Sequence, residues 1–273
     1  NGTQYGWRIG NDNMEVACNI PRVDVTSRGA ERAFARHFNA SEPVVLTNLQ
    51  GRDIFRGLCA RVPLLGAWGR HQITLSTANT FSHDKIKVPL QRYITDMIAP
   101  QDGTVDGKDL WIWFGDNDHS AWRPLFEKYI LPDFIPASAD TALSFGVAGP
   151  NSGVPWHTHG PGYSETVIGR KRWMLYPPGV RPDFDPERTT FQWMREGYPK
   201  IPTDRRPWEC VVRANEALWF PPDWWHATLN LDESVFISTF VNYKDRLNAG
   251  TPFFLRGQLT DKGHKLGVDY PWL

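Results

Sequence analysis

Two histidines separated by a single residue, His157 and His159, sit in the stretch "GVPWHTHGPGYSE". On an extended backbone, residues i and i+2 project from the same face, so imidazoles at this spacing converge on one point. A neutral imidazole suits iron, zinc, copper or nickel, so the ligand type alone does not choose the metal. A third ligand must come from elsewhere, and His226 is the candidate. It follows "FPPDWW" and opens "HATLNL", which reads as a strand. The alternative for all three is an ordinary surface or core histidine. His37, His71, His83, His119 and His264 have no ligand spacing and read as surface or satisfied polar groups.

The elements that must position these residues are mainly strands. Residues 28–39, "RGAERAFARHFN", space Ala33, Phe34 and Phe38 as a helix, with Thr26 and Ser27 as candidate N-caps. "PVVLTNL", "HQITLSTANT", "LWIWF" and "ALSFGVAG" read as strands, and "VPLQRYITDMIA" (88–99) as a short helix. Residues 100–109 read as a polar loop, and Asp116, Asn117, Asp118 and His119 as a turn. "TVIGRKRWMLYPP" reads as a hairpin. Residues 179–207 read as an insertion rich in Pro, Asp and Arg, with a short helix around "TTFQWMREGY". Residues 208–243 read as three strands, with breaks at Ala214-Asn215, Pro221-Pro222-Asp223 and Asp232-Glu233. In the last of these, Val235, Ile237, Thr239 and Val241 share one face, and Phe236, Ser238 and Phe240 the other. Helices in the first half and strands in the second point to a mainly β sandwich or jelly roll with helical decoration.

Composition narrows the function classes. With 41% hydrophobic and 22% charged residues, the chain suits a folded protein rather than a disordered one. The formal net charge is zero, so no global field attracts nucleic acid or an anionic membrane. No apolar run approaches the roughly 20 residues of a membrane span. There is no Gly-rich phosphate loop, nucleophile elbow or Cys-His-Asn order. The 13 tryptophans suit the interior of a sandwich or barrel. Of the three cysteines, Cys18 and Cys59 are the expected disulfide pair because both lie in the N-terminal third, with three reduced thiols as the alternative. Sequons at Asn1 and Asn39, and a start at Asn rather than Met, point to a processed, glycosylated chain of the secretory pathway.

"GVPWHTHGPGYSETVIGRKRWMLYPP" followed by "ANEALWFPPDWWHATLNLDESVFISTF" resembles the JmjC domain of the Fe(II)/2-oxoglutarate oxygenase superfamily. In that family a His-x-Asp pair opens a strand, a Gly-x-Lys-Arg-Trp segment follows, and Pro-x-x-Trp-Trp-His supplies the last ligand. "FARHFNASEPVVLTNLQG" is similar to the family's lead-in helix and strand, so the resemblance spans roughly residues 30–242. It implies a double-stranded β-helix (jelly roll, cupin-like) with N-terminal and peripheral helices, forming a single domain over residues 1–273. The expected parts are an N-terminal extension (1–27), a lead-in region (28–140), a jelly-roll core (141–245) and a C-terminal segment (246–273). It further implies Fe(II) or another divalent metal on His157, His159 and His226, and Lys171 paired with the C5 carboxylate of 2-oxoglutarate. The other reading of Lys171 is a solvated hairpin lysine.

The chain departs from the family pattern where it matters chemically. Position 159 carries His in place of Asp, and an anionic ligand partly neutralises Fe(II) and favours its oxidised states. Val154 stands where many members have Thr, and Thr239 or Phe240 where many have Asn; both losses weaken cosubstrate binding. Cupin metal sites often add a Glu after the His pair, which makes Glu165 an alternative fourth ligand, against an ion pair with Arg170 or Arg172. The expectation is a JmjC-fold protein of the endoplasmic-reticulum lumen or another secretory compartment, catalytically weakened or inactive, serving as a protein-interaction or regulatory module. The alternative is an active Fe(II)/2-oxoglutarate-dependent protein hydroxylase, rather than a histone demethylase. A protein partner or protein substrate is expected, without nucleic acid or membrane insertion, and the oligomeric state stays open.

Overall fold

The computed structural model describes residues 2–10, 13–132, 134 and 140–242. Asn1, His264 and the segment 246–273 lie outside them. The lead-in part comprises β1 (Thr3–Gln4), β2 (Trp7–Arg8), β3 (Arg22–Asp24), α1 (Ala30–Ala40), β4 (Val44–Thr47), α2 (Asp53–Leu58) and α3 (Arg61–Trp68). It continues through β5 (Gln72–Thr77), β6 (Lys85–Pro89), α4 (Leu90–Arg92) with a π-helical turn to Met97, β7 (Trp111–Phe114) and α5 (His119–Phe126). There follow β8 (Asp140–Ala148), β9 (Gly162–Ile168), β10 (Arg170–Tyr176), α6 (Thr190–Glu196), β11 (Trp208–Arg213), β12 (Glu216–Phe220), β13 (Trp225–Asn230) and β14 (Ser234–Asn242).

Two sheets form a jelly roll. The large one has the order β3-β4-β12-β9-β14-β8-β7-β5-β6, and the small one β11-β10-β13. Its inner face meets the small sheet through Val45, Leu218, Phe220 and Phe240 on one side and Trp173, Leu175, Cys210 and Val212 on the other. Its outer face packs Phe145, Val147, Val167 and Ile237 against Trp7, Phe55, Leu64 and Trp122 of the lead-in part. Both faces of β9 are therefore dry, and all its positions are buried. The period-two rule places β14 as its sequence reads: Val235 and Ile237 face the outer core, while Ser238 and Phe240 face the space between the sheets.

Several local expectations change. The stretch 166–178 is not a hairpin. β9 is hydrogen-bonded to β12 and β14, and β10 to β11 and β13, so neither has an edge left for the other. Gly169, at φ +87°, turns the chain from one layer to the other, a conformation that costs a residue without Cβ little. The stretch 208–243 gives four strands, because its three breaks bound four segments; Asn215 and Asp223 supply positive φ at two of them. Val88 and Pro89 end β6, paired with Ile73 and Gln72, so the helix starts only at Leu90. Helix α1 begins after Gly29; Thr26 instead hydrogen-bonds the Asp24 carboxylate in a turn. The polar turn 116–119 ends by capping α5, where the Asp118 side chain accepts from Ser120 N–H. Helices α2 and α3 carry no strong apolar periodicity and were not expected.

The disulfide joins Cys18 to Cys210, not to Cys59. Residues before β3 run along the open edge of β11: Asn19 N–H donates to the Glu209 carbonyl, and Glu209 N–H to the Asn19 side chain. That brings Cys18 against the next residue of β11. Cys59 instead lies buried and free in the outer core, its carbonyl taking the Trp7 ring N–H. Because Cys18 is exposed, Cys18→Ser tests the cross-link with little change in packing. Its expected cost is about 2–4 kcal/mol in a denaturant titration, matched by reducing the wild-type chain and not increased by reducing the variant. A Cys18–Cys59 peptide in a non-reducing digest would contradict this pairing.

Candidate metal centre

The small sheet brings the histidines together. His157 and His226 face each other in an antiparallel bridge, each donating its N–H to the other's carbonyl at 3.0 and 2.9 Å. The same contact runs on through Val154 with Thr228 and Ser152 with Asn230, so residues 152–157 extend the sheet beyond β13. The approach is close: a Cβ on Gly153 would lie 1.8 Å from the Thr228 carbonyl oxygen, which only glycine avoids. His159 follows two residues on, and its carbonyl accepts from Asp223 N–H.

All three rings are buried, and they offer nitrogens that lie within 4.8 Å of one another. Nδ1 of His157 is 2.7 Å from the Pro155 carbonyl, Nδ1 of His159 is 2.8 Å from that of Gly160, and Nδ1 of His226 is 2.9 Å from that of Trp224. A carbonyl oxygen only accepts, so each Nδ1 carries the proton and each Nε2 presents a lone pair. His159 Nε2 and His226 Nε2 stand 3.1 Å apart. Two lone pairs at that distance repel unless a proton or a cation lies between them. Burial opposes the proton. It lowers the His157 pKa to about 4, with the Lys171 ammonium adding to the effect. It lowers that of His159 to about 3, with His157 adding, and that of His226 well below its ordinary value. Neutral rings locked as Nδ1–H tautomers by carbonyls are the state in which imidazole binds a metal. The residues present therefore fit a divalent cation.

The walls are aromatic. His159 meets the rings of Phe220 and Phe240 edge-on at 5.4 and 5.0 Å, and Trp173 lies 5.7 Å from His226. Between them is a cavity of about 10 Å³, room for one water-sized group, also bounded by Lys171, Val154, Thr228 and Ser238. Lys171 is not a solvated lysine. It is 2% exposed, its Nζ lies 3.3 Å from the Phe236 ring centroid, and burial lowers its pKa to about 7. Val154 lines the cavity as the sequence implied. Of the pair at 239–240, Phe240 faces inward, while Thr239 points to the outer face, near the Tyr129 hydroxyl.

Glu165 does not join the cluster. Its neighbour Ser164 shares the inner face, bonded to Ser238 at 2.9 Å, so alternation turns Glu165 outward. There it is fully buried and pairs with Arg52, Nε to Oε2 at 3.1 Å, with the Tyr129 hydroxyl 3.3 Å away. Arg170 pairs with Asp232 and Glu15, and Arg172 with Glu209, so neither serves Glu165. Thr228 and Ser238 were missed, although the i+2 spacing of Thr228 from His226 was there to be read. Phe114 and Phe236 were missed because nothing local ties them to Lys171. Asn39 is exposed in the last turn of α1.

The buried imidazoles carry a pH signature. An unfolded histidine protonates near 6.5, whereas His157 in the fold resists to about 4 and His159 to about 3. In that window the unfolded chain binds more protons, so stability is present above the unfolded pKa and lost as pH falls towards the folded values. The slope is about 1.4 kcal/mol per pH unit for each ring. Lys171, whose folded pKa is also lowered, acts only above about 7 and leaves the window clear. Urea titrations of the metal-free chain between neutrality and pH 5 should show this loss, reduced in His157→Gln; equal slopes in the two proteins would contradict the buried, neutral rings.

No family model matches the chain. It is 48% identical over 240 residues to JmjC domain-containing protein 8 of Homo sapiens, covering 86% of this chain and 89% of that protein. It is 26% identical to Lysine-specific demethylase JMJ21 of Arabidopsis thaliana, over 87% of this chain but 26% of that protein. It is 30% identical to 2-oxoglutarate and iron-dependent oxygenase JMJD4 of Gallus gallus, over 46% of this chain and 32% of that protein. With this similarity, a jelly roll and an inward-facing histidine cluster at its centre, the chain belongs to the JmjC-domain family.

Proposed function

We propose that this chain is a JmjC-fold protein of the secretory pathway that holds a divalent cation on His157, His159 and His226, turns over 2-oxoglutarate weakly or not at all, and works by binding another protein. The observation that carries this reading is the triad itself: three neutral imidazoles and no carboxylate. Iron bound there would supply cosubstrate binding and oxygen activation. Its neutral ligands, however, favour the reduced cation over the oxidised states that oxygen chemistry needs. The cavity adds to this. Its walls offer a cosubstrate carboxylate few polar partners besides Lys171. Val154 and Phe240 present apolar surface to it.

The Cys18–Cys210 disulfide and the exposed Asn39 sequon support the endoplasmic-reticulum lumen or another secretory compartment, where such bonds persist and such sites are glycosylated. No helix among the described residues is long and apolar enough to cross a membrane.

One observation favours the second reading, an active Fe(II)/2-oxoglutarate-dependent protein hydroxylase. Lys171 is buried beside the triad with no carboxylate pairing it among the described residues, as an anchor for a cosubstrate carboxylate would be. Thermal unfolding separates the two. Mn(II) or Fe(II) should stabilise the wild-type chain and not His226→Ala, and 2-oxoglutarate should add nothing. A cosubstrate held at 100 times its Kd would add roughly 2.7 kcal/mol. That added shift, together with succinate formation coupled to oxygen uptake, would establish the hydroxylase instead.

A further inference from the structure

We propose that the Cys18–Cys210 disulfide is a thiol–disulfide exchange site, opened in the folded chain by an external thiol of glutathione type that attacks the exposed sulfur of Cys18. This does not depend on the metal reading above. The two sulfurs differ in access. Cys18 is exposed, whereas Cys210 is fully buried on β11 among Trp173, Leu175 and Val212. Access therefore selects Cys18 as the sulfur attacked and Cys210 as the one that leaves. Burial alone would make Cys210 a poor leaving group, because a thiolate in apolar surroundings is unfavourable. Arg22, at the start of β3, offsets that. Its Nη1 stands 3.5 Å from the Cys210 sulfur and 4.0 Å from that of Cys18. A thiolate on Cys210 would make a charge-assisted contact with this guanidinium. The Ile20 carbonyl lies 3.4 Å from the Cys18 sulfur, where it can accept from a thiol and opposes a thiolate. The charge of the opened pair thus falls on Cys210.

The neighbouring carboxylates are committed. Glu216 pairs with Arg22 itself, which fixes the guanidinium and takes part of its charge. Glu209, one residue before Cys210, pairs with Arg172, and Glu15 with Arg170 and Arg213. The exchange balances in two steps. The external thiolate bonds to the Cys18 sulfur, the Cys18–Cys210 bond breaks, and its electron pair leaves on Cys210. A second external thiolate then attacks the external sulfur of the mixed disulfide and releases Cys18. Two external thiols are oxidised to their disulfide, and the disulfide of the chain is reduced. Of the two protons given up, one goes to Cys18 and one to solvent. Opening the bond leaves residues 14–19 as a strap held to the small sheet by the Met14 carbonyl on Arg172, Glu15 on Arg170 and Arg213, and Asn19 on Glu209.

The test incubates the oxidised, folded full chain with glutathione, quenches with acid and maps the adducts by mass spectrometry. The expected product carries glutathione on Cys18 and a free thiol on Cys210. Arg22→Gln should slow opening and shift the exchange equilibrium towards the disulfide by about tenfold, or about 30 mV. Arg22→Lys, which keeps the charge, should retain most of the rate. A merely structural ion pair would act the other way, since its loss loosens the strap and speeds opening. Should Arg22→Gln not fold, the position of the adduct on the wild-type chain, and its formation without denaturant, decide. Glutathione on Cys210, Arg22→Gln opening as fast as wild type or faster, or a bond that opens only in denaturant overturns the proposal.

Discussion

Three short hydrogen bonds from imidazole Nδ1 to main-chain carbonyls govern the site. They run from His157 to Pro155, His159 to Gly160 and His226 to Trp224, each within two residues of its own ring. Because the acceptors are local, the backbone path on both sides of the bridge, at residues 155–160, and just before β13 decides the tautomer. Once Nδ1 holds the proton, the three Nε2 lone pairs must share a small volume. Burial then denies them a proton at neutral pH. The sequence has thus built a cluster that is electrostatically unfavourable by itself and favourable around a cation.

The two-layer architecture makes this cluster possible and also makes it exclusive. The bridge between His157 and His226 fixes which residues oppose each other, and period two fixes which side chains look inward. On β9 that rule sends Ser164 in and Glu165 out, so a buried carboxylate only one residue away never reaches the three rings. It stays with Arg52 and Tyr129 beneath the helices of the lead-in part. A slip of one residue would exchange the two, and the many buried positions of β9 oppose such a slip.

Much of this was legible from residues close in sequence. The faces of β14 and the breaks at Asn215, Asp223 and Asp232-Glu233 depend on local rules, and the structure follows them; His157 and His159 do come together, although His159 lies past the bridge and outside any strand. What was not legible depends on contacts distant along the chain. The partner of Cys18 is decided by Asn19 lying along the edge of β11, and nearness in sequence misled there. The layer change at Gly169 looks like a hairpin turn locally, and only the pairing of β10 with β11 and β13 shows otherwise. The rings around Lys171 come from β7, β10 and β14, strands that no single motif connects.

Histidine at position 159 has consequences beyond the loss of one charge. The dry aromatic walls that keep the imidazoles ready to bind also amplify every uncompensated charge nearby. An aspartate there would lower the net charge of the loaded site and, with it, the strain of placing Lys171 on the same wall. With imidazole instead, three neutral rings favour the reduced cation over the oxidised states that oxygen chemistry needs, so the residue that completes the cluster also limits the chemistry open to it.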